Sequence, residues 1–278
     1  MSLLPPWHPH IEVWLLFGSI FAAYVIACRR HERDTGESTP RRRSRFFAMG
    51  VGVLWLGADW PIHDLAERYL YSVHMVQHML FTLIAPPLLI AGMPAWLLRR
   101  YLRLRPVAKA FGFLTKPLVA LILFNGALLF VHWPAVVMLS VRSGWAHFGL
   151  HTLLVSTALL MWWPVMSPLP EYPALPAPGQ MLYLFLQSLA PTIPASFLTF
   201  GSRVLYPVYA TFPRIWGIGA RTDQLLAGLI MKLIGGAILW AFIQAIFFRW
   251  YRQEHRGEGW DASRYRDVEQ EIHLELTR

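Results

Sequence analysis

Runs of about 20 apolar residues recur along this chain of 278, each long enough to cross the hydrocarbon core of a bilayer as a helix. Only 15% of the residues are charged, where an ordinary globular domain carries about 25%. The pattern predicts an all-α polytopic membrane protein, a bundle of about seven transmembrane helices. The expected limits are Ile11–Cys28, Phe46–Ala58, Val73–Gly92, Pro117–Ser140, Ala146–Val165, Gly179–Phe200 and Asp223–Phe248. The second run is short, stopping before Asp59-Trp60-Pro61, where the proline turns Trp60 away from helix. Residues 1–250 read as one transmembrane domain and residues 251–278 as a polar cytoplasmic tail of mixed charge.

Lysine and arginine in the short loops set the orientation. Residues 29–45 hold seven, residues 93–116 six and the segment from Arg249 onward six, together 19 of the 25. By the positive-inside rule these segments are cytoplasmic, which puts the N-terminus outside and the C-terminus inside. Arg203, Arg214 and Arg221 go against this trend, in a loop assigned to the outside. The first run lacks a basic region before it and has Arg29-Arg30 after it, so it reads as a retained span rather than a signal peptide. The net charge of +9 is thus a matter of topology and lipid headgroups, and no nucleic-acid partner is expected. Thirteen tryptophans and ten tyrosines suit the two interfacial belts. The lone Cys28 permits neither an internal disulfide nor a CxxC motif, so any metal must rest on His, Met, Asp or Glu.

The histidines gather on one side of this topology. His74 and His78 open the third span at its outer end, four residues apart and hence on one helix face. His147 and His151 do the same in the fifth span, and His132 lies in the outer part of the fourth. At 1.5 Å of rise per residue, His78, His132 and His151 each come roughly 10 Å below the outer surface. His63 sits in the loop before the third span with Asp59 four residues earlier, while His8 and His10 read as solvent or interface residues.

Neutral imidazole suits copper, zinc, iron and nickel, and thioether sulfur favours Cu(I). The string His74-Met75-Val76-Gln77-His78-Met79 sets two thioethers beside two imidazoles, although about 100° around the helix from them. Asp59 is a further ligand, or orients an imidazole from behind. Lys232, an ammonium inside the seventh span, requires a partner within the bundle, for which Asp59 is one option. Taken singly, a span histidine reads as an interhelical hydrogen-bonding residue and Met75 or Met79 as packing. Two HxxxH pairs at one depth, with His132 between them, favour a shared metal site.

The run HMVQHMLFTLIAPPLLIAGMPAW, from His74 to Trp96, resembles the signature of the CtaG-type cytochrome c oxidase assembly factors, multispan bacterial proteins with a histidine–methionine segment, a proline pair and a Gly-x-Pro. Asp59 with His63, His132-Trp133, the His147/His151 pair and Trp162-Trp163-Pro164 match as well, so the likeness covers about residues 45–250. The resemblance implies a non-catalytic factor in the bacterial inner membrane needed to assemble haem–copper oxidase, at the stage of copper delivery. It further implies an oxidase subunit as client and a copper donor in the periplasm. An outer site without cysteine, built from His74, His78, His132, His147 and His151 with His63, Asp59, Met75 and Met79 as further ligands, is chemically suited to copper arriving from that side.

Three other readings use the same residues. A b-type cytochrome would take His78 and His151 as axial haem ligands, but leaves both i, i+4 pairs unexplained. A metal-dependent membrane enzyme would need a general base, and no glutamate lies within any expected span beyond Glu12, at the outer edge of the first. A transporter would need a polar path through the inner half, where only Asn125, Gln187 and Gln244 stand out. Nothing in the sequence sets an oligomeric state.

Overall fold

The computed structural model describes residues 4–276, and every regular element among them is a helix. Five helices are long and apolar enough to cross a membrane: Ile11–Thr35, Tyr71–Gly92, Gly144–Met166, Ala177–Phe200 and Ala220–His255. Arg105–Leu114 and Pro117–Val131 add a sixth if the pair, bent by 75°, is one span. Of the seven expected spans, the second falls short of this standard. Its helix, Arg41–Ala58, opens with four arginines in five residues. The apolar remainder, residues 46–58, rises only about 20 Å against a hydrocarbon core of about 30 Å.

That short helix is nonetheless part of the bundle, packed along the Ala85–Gly92 half of the third span. A Cβ on Gly92 would overlap the backbone of Phe47, so only glycine allows this approach. The Tyr24 hydroxyl donates to the Gly92 carbonyl at 3.0 Å, and its ring stacks on Phe47. Arg43 donates to the Met93 carbonyl at 2.9 Å.

Prolines shape the helix that carries His74 and His78. Pro86 has no N–H to offer the carbonyl of Thr82, four residues back. The helix relaxes into a π turn over Leu80–Ile84, and the Trp162 indole supplies the missing donor to that carbonyl at 2.8 Å. Thr82 in turn donates its hydroxyl to the His78 carbonyl at 2.7 Å. The expected fourth span is divided rather than continuous. Its helix ends at Val131, Trp133 is extended as a residue before proline tends to be, and a new helix runs Pro134–Arg142. His132 thereby lies at a helix end, its carbonyl accepting the Tyr206 hydroxyl at 2.7 Å.

Two of the polar groups considered for a transport path are occupied in joining helices. Asn125 donates to Gln187 at 2.9 Å, Gln187 to the Tyr183 hydroxyl at 3.0 Å, and that hydroxyl to the Met161 carbonyl at 3.0 Å. Such bonds contribute about 0.6 kcal/mol each in membrane bundles. The last helix passes through a π turn at Ile230–Ile234 and then runs from Gly235 to Leu276, unbroken at the expected tail boundary near residue 250. Residues 277–278 of that tail lie outside the described residues.

Candidate metal centre

The third-span helix is held at its start by a residue from the far end of the chain. The Asp223 carboxylate, fully buried, accepts the backbone N–H groups of Tyr71 at 2.7 Å and Ser72 at 2.9 Å. An anion at a helix N-terminus satisfies two of its unpaired donors and complements its dipole. One turn further on, His74 and His78 lie on one face, their ring centroids 4.3 Å apart. The fifth span begins at Gly144 with the Ser143 hydroxyl accepting the Ala146 N–H, and its His147 and His151 rings lie 4.1 Å apart.

The two pairs face each other. His151 is 5.4 Å from His74 and 5.3 Å from His78, ring to ring, and His147 is 5.9 Å from His74. His132 meets His78 edge-on at 5.4 Å. Four of the five rings are buried and His151 is half-buried, its Nε2 included among the buried atoms. A small cavity opens among His74, His78, His151 and Ser140.

Five buried imidazole nitrogens from these rings have no hydrogen-bond partner within the protein: His74 Nδ1 and the Nε2 atoms of His78, His132, His147 and His151. A buried polar atom without a partner costs about 1–3 kcal/mol, so five such nitrogens from neighbouring rings call for a group that all of them can bind. One atom from each of His74, His78 and His151 lies within 4.8 Å of the other two. A cation held there would turn this cost into ligand bonds. The remaining ring nitrogen of His132 faces the Leu128 carbonyl at 2.7 Å, which assigns the proton to Nδ1 and leaves the Nε2 lone pair for a ligand.

A second group lies beside the first, on the short helix Ile62–Arg68. His63 and Glu67 share a face four residues apart, with His63 Nε2 3.5 Å from one carboxylate oxygen. His147 Nδ1 lies 2.9 Å from the other oxygen. Burial pushes the Glu67 carboxyl up, but the His147 hydrogen bond and the charges of His147, His63 and His74 outweigh it and hold the pKa at about 2. The His63 pKa is lowered, chiefly by burial and then by neighbouring imidazoles acting against the pull of Glu67. His10 is not a free surface residue. Its Nε2 is 2.9 Å from Asp64, and its ring meets His63 edge-on at 4.9 Å. Burial works to lower the His10 pKa, but the Asp64 and Glu12 carboxylates raise it above its ordinary value.

The other residues singled out from sequence have different surroundings. Asp59 accepts the indole N–H groups of Trp14 at 2.7 Å and Trp55 at 2.9 Å and the backbone N–H of Trp60 at 2.8 Å. These bonds overcome partial burial and lower its pKa. Lys232 pairs with Thr192 rather than with Asp59, its Nζ donating to the hydroxyl at 2.6 Å. Met75 is fully buried among Tyr71, Tyr206, Tyr209 and Met231, and Met79 packs its sulfur against Gly235. The structure thus brings His63, His74, His78, His132, His147 and His151 into one connected group and leaves Asp59, Met75, Met79 and Lys232 with other contacts. It adds Glu67, His10 and Asp64, which the sequence reading did not connect to the site. The His63-x-x-x-Glu67 spacing, the same i, i+4 repeat as the two histidine pairs, was the available signal.

Comparison with known proteins gives an independent view. The family described as cytochrome c oxidase caa3 assembly factor matches residues 22–253. Proteins of Mycobacterium bovis and Mycobacterium tuberculosis, both described as uncharacterized, are each 26% identical over 274 residues, covering 88% of this chain and 40% of their own length. A Mycobacterium leprae protein, also described as uncharacterized, is 26% identical over 213 residues, covering 67% of this chain and 31% of its own. The chain therefore spans well under half the length of these relatives. No solved structure matches.

Proposed function

The chain belongs to the cytochrome c oxidase caa3 assembly factor family, and on that premise we propose that it binds copper at the imidazole cluster and delivers it to an oxidase subunit. The observation that carries this reading is the set of five unpartnered, buried imidazole nitrogens converging from three helices. Imidazole donors suit copper, and copper is a metal that a haem–copper oxidase must acquire. The ion is cargo, so the site must release it as well as hold it. The closest ligand group supplies three nitrogens, from His74, His78 and His151, with His132 and His147 at its edge. A set of this kind can exchange members while a client ligand enters. With the basic loops in the cytoplasm, the cluster lies toward the outer face of a bacterial inner membrane, open to a periplasmic donor. In this reading the protein is not an enzyme, and its client docks laterally in the bilayer.

Haem is disfavoured by packing. The His78 and His151 rings are 5.3 Å apart, which leaves no slot for a porphyrin plane between them.

The test is elemental analysis and an optical spectrum of detergent-purified protein, beside the His74→Ala/His78→Ala double variant. Copper in the wild type, reduced in the variant and without haem bands, is the expected result. No uptake above the variant, even after loading with Cu(I), sinks the proposal, and a Soret band transfers the histidines to a cytochrome.

A further inference from the structure

The imidazole cluster does not stand alone. His63, Glu67 and His147 each offer one ligand atom within 4.8 Å of the other two. The Glu67 carboxylate bridges the other two residues, 2.9 Å from His147 Nδ1 and 3.5 Å from His63 Nε2. This group is easier to reach than the inner one. The Glu67 and His63 side chains are 31% and 20% exposed, whereas His74 and His78 retain only 8% and 4%.

Its donor chemistry differs too. Two imidazoles and a carboxylate make a harder ligand set than imidazoles alone, suited to a divalent cation. The His147 side chain, 9% exposed, is a member of the outer group and adjoins the inner one. Its Nδ1 faces Glu67 and its Nε2 has no partner, while the centroids of the His147 and His151 rings lie 4.1 Å apart. His10 packs edge-on against His63 and is tied to Asp64 at 2.9 Å, which fixes the outermost imidazole.

We propose that His63, Glu67 and His147 form a second cation site, an outer station that receives a divalent ion and passes it to the His74–His78–His151 station through the adjoining His147 ring. This rests on the inner cluster being a copper site and adds that the protein holds two ions rather than one. No redox change is required, since an ion moves by exchanging one set of ligands for the other.

The test is the copper-to-protein ratio of the full chain in detergent after loading with Cu2+ and desalting, with electron paramagnetic resonance on the same samples. The wild type should hold two ions per chain, close enough to broaden each other's spectra. Glu67→Gln and His63→Ala should each hold one, with a sharpened signal from an all-nitrogen site. His78→Ala should also hold one, with a signal from a mixed nitrogen and oxygen site. Size-exclusion profile and helicity confirm that each variant is folded. One ion in both the wild type and Glu67→Gln overturns the outer station, makes Glu67 only a brace for His147, and leaves the copper reading standing. A fall to zero in Glu67→Gln means a single shared site and likewise overturns it. No copper in the wild type after Cu2+ loading overturns the outer station, and no copper after Cu(I) loading as well overturns both proposals.

Discussion

His147 Nδ1 lies 2.9 Å from the Glu67 carboxylate, while Nε2 of the same ring is buried without a partner. In the metal-free protein the carboxylate thus fixes the orientation of the imidazole that stands between the Ile62–Arg68 helix and the buried histidine rings.

This pair makes the stability of the metal-free protein dependent on acid. Folding lowers the Glu67 pKa from 4.5 to about 2, so its contribution is complete above 4.5 and fades as pH falls toward 2. A hydrogen bond to a charged group contributes about 1.5–3 kcal/mol. Glu67→Gln should lower the unfolding temperature at neutral pH, and its difference from the wild type should shrink steadily between pH 4.5 and 2. Thermal unfolding of both proteins across that range checks this, and a difference independent of pH would contradict it.

Asp59 gives the opposite contrast. Three N–H donors already occupy its carboxylate, two of them tryptophan indoles on the Ile11–Thr35 and Arg41–Ala58 helices. Asp59→Ala should leave the copper content unchanged and destabilise the protein by about 1–3 kcal/mol as those donors lose their acceptor. Elemental analysis and thermal unfolding on one preparation separate the outcomes. Lost copper with unchanged stability would make Asp59 a ligand.

Asp223 tests whether the site depends on how its helix is anchored. Asp223→Ala strands two buried backbone donors, at about 1–3 kcal/mol each, at the start of the helix that bears His74. The expected result is a lower unfolding temperature together with reduced copper occupancy, and Asp223→Asn, which keeps one acceptor oxygen, should fall between. Full occupancy in a destabilised Asp223→Ala protein would show that the cluster does not need this anchor.

The amino-acid sequence by itself determined the helical, membrane-embedded character of the chain, because apolar length and i, i+4 spacing are local properties. The same spacing placed His74 with His78 and His147 with His151, since any α-helix puts such residues on one face. It could not say which way each helix is rotated, and that decision belongs to packing. Rotation turned the imidazoles of two spans toward each other and sent Met75 and Met79 into other contacts. Asp59 was drawn to Trp14 and Lys232 to Thr192, pairings between distant segments that no periodicity encodes. Glu67 joined the histidine group because the seven-residue helix Ile62–Arg68 packs on the start of the third span, which brings its carboxylate within reach of His147. Sequence supplied the imidazoles and the carboxylate, and tertiary packing chose which of them meet, because only packing brings faces of different helices together.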